Sequence, residues 1–314
     1  MARTKGMPLD INFLGPRKIF FAISALLILA SIATVSVRGL NFGIDFTGGV
    51  LLEVGYPRPA ELEQIRGLLQ DSGYDGALVQ SFGTATDVLV RLPPPDEGVD
   101  GGQIRDTVLR LLRQQEPLVD LRRVEFVGPQ VGAELAEQGA LALLFALLMI
   151  LAYVSIRFQW KFSLGAVVAL AHDVIITVGI FSLFQIPFDL AVLAAILAVI
   201  GYSLNDTIVI FDRIRENFLR LRRESAERVM NVSLNQTLGR TIVTGLTTLL
   251  VLGALLIVGG DALYGFSIAL IIGIVVGTYS SIYVASAFSL ALKVSTIDLL
   301  PPAKEEDETL KEVP

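Results

Sequence analysis

The chain has 314 residues, is 53% hydrophobic and only 18% charged, a balance too apolar for an ordinary soluble domain and typical of an integral membrane protein. It contains no cysteine and a single histidine, His172, which excludes disulfide frameworks, thiolate metal centres and histidine-built zinc sites. The formal net charge of −6 is unevenly spread, and outside one arginine-rich loop nothing resembles a basic surface for nucleic acid.

A membrane-spanning helix needs roughly 20 apolar residues to cross a hydrocarbon core of about 30 Å. Residues 1–18 form an N-terminal segment carrying Arg3, Lys5, Arg17 and Lys18, and residues 19–37 form the first span. A cleavable signal is the competing reading, because basic residues precede the run and "ASIA" offers small ones. The run stays apolar through Val35 and Val37, which favours a retained anchor.

Residues 38–137 have a different character. "GGVLLEVGY" reads as a strand and "PAELEQIRGLLQDSG" as an amphipathic helix ended by Gly73. "ALVQSF" and "TDVLVRL" pair across "GTA" as a hairpin; "GGQIRDTVLRLLRQQ" is a second helix and "LRRVEFVG" a last strand. The order βαββαβ is that of a ferredoxin-like α+β domain, here extracytoplasmic. "PPPDEGVDGG" (93–102) is its loop.

Five further spans follow, at 138–156, 163–184, 190–211, 241–259 and 263–292. The 212–240 loop carries seven arginines, with Ile214, Phe218 and Leu221 at helical spacing. It is predicted to lie along the inner membrane face near anionic lipid headgroups, with a solvated helical connector as the alternative. Basic residues in the N-terminal segment, in "RFQWK" and in this loop place both termini in the cytoplasm, since "QIPFD" and "GGDA" carry none. The tail, 293–314, is too acidic and too poor in apolar residues to fold alone.

Ionisable residues inside spans cost about 2.5–3.5 kcal/mol each and usually face the bundle interior. The candidates are Asp173 beside His172 in the third span and Asp206 beside Asn205 in the fourth. Arg240 stands at the inner mouth of the fifth span, with Thr244 and Thr248 one and two turns on, sharing its helix face. An Asp206–Arg240 couple would cancel the isolated charge, and protonating Asp206 would release Arg240. Such a two-state element can be biased by a proton worth about 2.3 kcal/mol per 100 mV. Asn205 is equally well read as an interhelical hydrogen-bonding residue, and His172 as packing or orienting Asp173. An intramembrane aspartyl protease would use two aspartates sharing a proton, but "AHDV" and "SLND" lack its Gly-x-Gly-Asp pattern. In the last span Gly265, Ala269, Gly273, Gly277 and Ser281 recur at every fourth position, a ridge of small residues for close helix approach. Its partner is either a helix of this chain or another protein.

"NFGIDFTGG", "GPQVGAEL", "AHDV", "GYSLNDTIVIFDRIREN" and "LNQTLGRTIVTGLTTL" together resemble the SecF family, membrane subunits of the bacterial SecDF protein-translocase accessory complex within the resistance–nodulation–division superfamily. The resemblance runs from about residue 10 to 295 and implies six spans in the inner membrane with a periplasmic domain after the first. It implies a non-enzymatic subunit that, with SecD, uses the proton-motive force to draw preproteins through SecYEG, in contact with YajC and without a cofactor. It assigns the essential acid and arginine to Asp206 and Arg240. An exporter of small molecules or lipids from the same superfamily and a passive translocon scaffold are the alternatives.

Overall fold

The computed structural model describes residues 10–94 and 101–294. The start of the N-terminal segment, most of the proline-rich loop and all but the first residues of the acidic tail lie outside the described residues.

Helix α1 (Arg17–Arg38) leads through a single turn, α2 (Ile44–Thr47), into strand β1 (Gly49–Gly55). Then come α3 (Leu62–Asp71), β2 (Leu78–Phe82), β3 (Thr84–Leu92), α4 (Gly101–Gln115) and β4 (Asp120–Val127). The strands form one antiparallel sheet in the order β2-β3-β1-β4, the ferredoxin-like arrangement expected from βαββαβ. Strand period sorts the residues by face. Val50, Leu52 and Val54 of β1 and Val88 and Val90 of β3 meet Ile65 and Leu69 of α3 and Val108 and Leu112 of α4 in one buried core. Helix α3 ends where Gly73 turns left-handed at φ 86° and Tyr74 N–H bonds back to Leu69 O at 2.9 Å.

Long helices α5 (Pro129–Arg157), α6 (Trp160–Phe184), α7 (Leu190–Arg220) and α8 (Ala226–Val258) follow. The last span is α9 (Asp261–Ser280), continued by a π turn (Ser281–Ala285) and α10 (Ser286–Ala291). With α1, six segments are long and apolar enough to cross a membrane. Helices α6, α7 and α9 form the interior, whereas α1, α5 and α8 leave apolar faces open. Leu26 (67% exposed), Met149 (69%) and Val251 (68%) mark those apolar faces, which lie open to lipid or to another membrane helix.

The ridge of small residues on α9 packs against α7 of the same chain. Cβ atoms built at Gly265 and Gly273 would come within 2.9 Å of Val192 Cγ2 and 2.1 Å of Val199 Cγ2, and one at Gly277 within 3.0 Å of Ser203 Cβ. Ala269 is fully buried in the core that holds Val192, Ala195 and Ile196. Ser281 opens the π turn, and its hydroxyl donates to Thr278 O at 3.0 Å.

The 212–240 segment differs from the expectation of a separate surface helix. Helix α7 runs on to Arg220 and α8 already begins at Ala226, where the Ser225 hydroxyl caps it by accepting from Arg228 N–H at 3.3 Å. The reason is burial. Ile214 and Phe218 pack with Val229, Met230 and Leu234, and Phe13 and Leu14 from the N-terminal segment close the same core. That apolar face is consumed inside the protein, so the two helices extend beyond the spans as a hairpin.

Candidate functional site

Two aspartates lie buried inside the bundle, on neighbouring helices. Asp173 of α6 is fully buried and sits at the junction of three helices. Its Oδ2 accepts from the hydroxyls of Ser203 on α7 at 2.6 Å and Ser280 on α9 at 2.8 Å, and its Oδ1 lies 2.9 Å from His172 Nδ1. Gly277 lets α9 approach Ser203 here, because a Cβ at that position would stand 3.1 Å from Ser203 Oγ. The His172 ring stacks on Tyr279 at 6.0 Å, and the Tyr279 hydroxyl donates to Phe20 O at 2.9 Å and lies 3.0 Å from Ser24 Oγ on α1. Four helices are therefore joined through one carboxylate and its neighbours. His172 Nε2 is the exception, buried without a partner.

Asp206 is one turn beyond Ser203 on α7 and is 3% exposed. Its Oδ2 is buried and has no hydrogen-bond partner among the described residues, and the hydroxyls of Thr207 and Thr241 are stranded in the same way. Arg240 on α8 is exposed and acts on Asp206 electrostatically, without an ion-pair contact. The predicted couple is thus two groups within reach of each other but apart. Arg240 lines a cleft of about 250 Å³ between α7 and α8 with Val209, Asp212, Arg213, Glu216, Gln236 and Thr237. The Thr244 hydroxyl is committed to its own helix, donating to Arg240 O at 2.9 Å and Thr241 O at 3.1 Å. Asn205 is exposed and does not join the Asp206 pocket. The structure brings Asp173 and His172 together with serines that sequence reasoning did not assign to them. Ser203 and Ser280, hydroxyls inside mostly apolar spans, were the available signal.

At the opposite end of the bundle the α1–β1 link is stitched to the α6–α7 turn. Gly43 N–H donates to Phe188 O at 2.7 Å, Phe188 N–H to Asn41 O at 2.8 Å, and Leu190 N–H to the Asp45 carboxylate at 2.9 Å. Asp189 caps α7 by accepting from Val192 N–H at 2.8 Å. Arg91 of β3 joins the sheet to this seam through Asn41 Oδ1 at 2.9 Å and Phe42 O. Burial holds Arg91 below the ordinary arginine pKa, opposed by the charge on Asp189; burial likewise raises Asp189, against the pull of its cap hydrogen bond. Gly48 and Gly49 have φ of 71° and 123°, and Cβ atoms there would come within 2.8 Å of Pro129 Cα and 2.3 Å of Leu92 O. Only glycine lets the chain pass between α5 and β3. The acid Asp45 and the base Arg91 carried no periodic signal in the sequence; the fold alone brings them together.

A bundle of six spans with buried acids at its centre, and a ferredoxin-like domain between the first two, defines a polytopic helical membrane protein. Residues 107–295 match the family described as protein export membrane protein SecD/SecF, C-terminal, and residues 35–56 match the SecD/SecF GG motif. The chain is 52% identical over 296 residues to protein translocase subunit SecF of Pseudomonas aeruginosa, covering 94% of this chain and 96% of that one. It is 49% identical over 289 residues to the same subunit of Escherichia coli O157:H7, covering 91% and 89%. The crystal structure of SecDF, a translocon-associated membrane protein from Thermus thermophilus, is similar with a TM-score of 0.84 and 39% identity. That match covers 93% of this chain but only 40% of the longer one. The chain belongs to the SecF family of protein translocase subunits, and is a transport component rather than an enzyme. The seam built from Asn41 to Gly49 lies inside the matched GG motif.

Proposed function

We propose that the chain is the proton-responsive half of an export motor that works with SecD to promote late translocation of preproteins through SecYEG. The observation that carries this reading is Asp206, a buried carboxylate with one unpartnered oxygen and an arginine within electrostatic reach but not in contact. A buried acid left unsatisfied is costly, and a side chain serving only packing would be better supplied by a neutral residue. Loading and releasing a proton at Asp206 changes its attraction for Arg240, and α7 carries the acid near its middle and is tied at its start to the Asp45–Asp189 seam. Motion of α7 is thereby transmitted to the sheet domain. The α7–α8 cleft supplies a polar path toward the cytoplasm, with the termini on that side and the sheet domain in the periplasm. Asp173 fastens α7, through Ser203, to α6 and α9, so that α7 moves together with them.

The reading needs protons and no other cofactor. Its partners are SecD, the SecYEG channel, YajC, unfolded preproteins and the lipids of the inner membrane, and the proton path is completed by SecD. Asp206→Asn is expected to abolish the uncoupler-sensitive part of preprotein export in inverted vesicles while the complex still assembles. Wild-type export by this variant would leave a passive scaffold as the function.

A further inference from the structure

The far end of the bundle, away from the sheet domain, carries a second polar cavity that the proton reading does not use. It occupies about 220 Å³ and is lined by Ile156, Arg157, Phe158, Gln159, Phe162 and Arg215. That is below the roughly 300–1,000 Å³ of pockets that enclose drug-sized molecules, so it suits a headgroup rather than a whole small ligand. Two guanidinium groups converge on it from different elements, Arg157 at the end of α5 and Arg215 on the extension of α7. Arg157 is steadied by the Phe158 ring at 5.5 Å and by a long contact of 3.2 Å to Asp212. Arg215 has no ion pair among the described residues and is exposed. Gln159 Oε1 is buried with no hydrogen-bond partner, an acceptor waiting for a hydroxyl donor.

The level of the cavity in the membrane identifies what reaches it. Ile156, which lines the cavity, is 88% exposed, and Trp160 (63%) and Tyr153 (52%) are exposed close to the lining residues in sequence, at the start of α6 and one turn before the end of α5. Tryptophan and tyrosine concentrate where hydrocarbon gives way to headgroups. Acyl chains therefore run along Ile156 and the face of α5 while the headgroup reaches the arginines. We propose that this cavity binds the headgroup of an anionic phospholipid of the phosphatidylglycerol type, its phosphate held between Arg157 and Arg215 and a glycerol hydroxyl donating to Gln159. Arginine is suited to this, because its planar fork grips phosphate oxygens in pairs and is weakly hydrated. The proposal rests on the membrane-spanning architecture and not on proton coupling.

The test uses the full chain in lipid nanodiscs of phosphatidylcholine containing a minor fraction of phosphatidylglycerol, released into native mass spectrometry to count retained lipids. Wild type is expected to retain phosphatidylglycerol selectively, and R157Q/R215Q to lower that preference about thirtyfold, at the scale of roughly 1 kcal/mol per basic residue near a membrane surface. Asp212→Asn removes the carboxylate that competes for Arg157 and is expected to increase retention, a gain that misfolding cannot imitate. An excess of inorganic phosphate should leave retention unchanged. Equal retention by R157Q/R215Q overturns the site. Displacement by inorganic phosphate overturns the lipid assignment in favour of a soluble anion.

Discussion

Asp173 and Asp206 are both aspartates buried in membrane helices, yet their surroundings are opposite. Asp173 has acceptors filled from three sides, by Ser203, Ser280 and His172. Asp206, one turn from Ser203, keeps an oxygen with no partner and an arginine that does not touch it. The first arrangement is a fastening and the second is poised to change. A carboxylate whose hydrogen bonds tie three helices together resists alteration of its charge, because every partner must be re-paired. A carboxylate with nothing committed to it can change protonation without dismantling the bundle.

That comparison is open to direct attack. The largest expected effect is functional: Asp206→Asn removes coupled export but leaves the thermal midpoint of the detergent-solubilised protein nearly unchanged, because no hydrogen bond is lost. A large loss of stability in that variant would erase the distinction between the two acids. Asp173→Ala should do the reverse, stranding its buried donors. At about 0.6 kcal/mol for each of the two interhelical contacts the cost is near 1 kcal/mol, and at roughly 1–3 kcal/mol per unsatisfied group it is several. Thermal denaturation reads it, and a midpoint matching wild type would mean that the serine contacts contribute nothing.

A smaller effect is expected at the α7–α9 seam that holds both acids in register. Gly273→Val forces side-chain atoms onto Val199 and should cost about 1–3 kcal/mol, the usual range for overpacking. Gly253→Ala, where nothing lies within 4 Å of a built Cβ, is the control. Equal stability of the two variants would show that the ridge does not set helix approach.

The smallest effect lies outside the membrane and contrasts an ordinary burial shift with the acids within it. In the sheet domain burial, with a contribution from Glu116, pushes the Tyr56 hydroxyl from 10.0 up to about 12. Its folded-state pKa is raised, so the stability from this proton is complete below the unfolded value near 10 and is lost as pH rises through about 12. Phenolate absorbance of wild type against Tyr56→Phe should show one tyrosine titrating late. An ordinary titration would place Tyr56 in open solvent.

Much of this architecture was legible before any coordinates. Continuous apolar runs can be satisfied only by helices in lipid, and the βαββαβ domain announced itself through alternating residues, a glycine stop and turn signals. Asp173 and Asp206 stood out because a charge inside a span is expensive, and Arg240 because it stands at the mouth of the next span. Less legible was the 212–240 segment, where an arginine-rich amphipathic pattern looks the same whether its apolar face meets lipid or protein. Ile214 and Phe218 found Val229 and Met230 instead. Asn205 was a neighbour of the right residue in sequence but is exposed where Asp206 is buried, since adjacent helical positions lie about 100° apart.

By itself the chain determined its six apolar helices, the class of its sheet domain and the identity of its costly charges, because hydrophobic period and the price of burying an ion are local properties. Only the tertiary structure decided which charge is satisfied. Ser203 and Ser280 are separated from Asp173 by 30 and 107 residues, and the helix packing that delivers them leaves Asp206 and Arg240 near each other without contact. The same long-range packing decided that the small residues of α9 face α7, and that Asp45, Asp189 and Arg91 meet where the sheet joins the bundle.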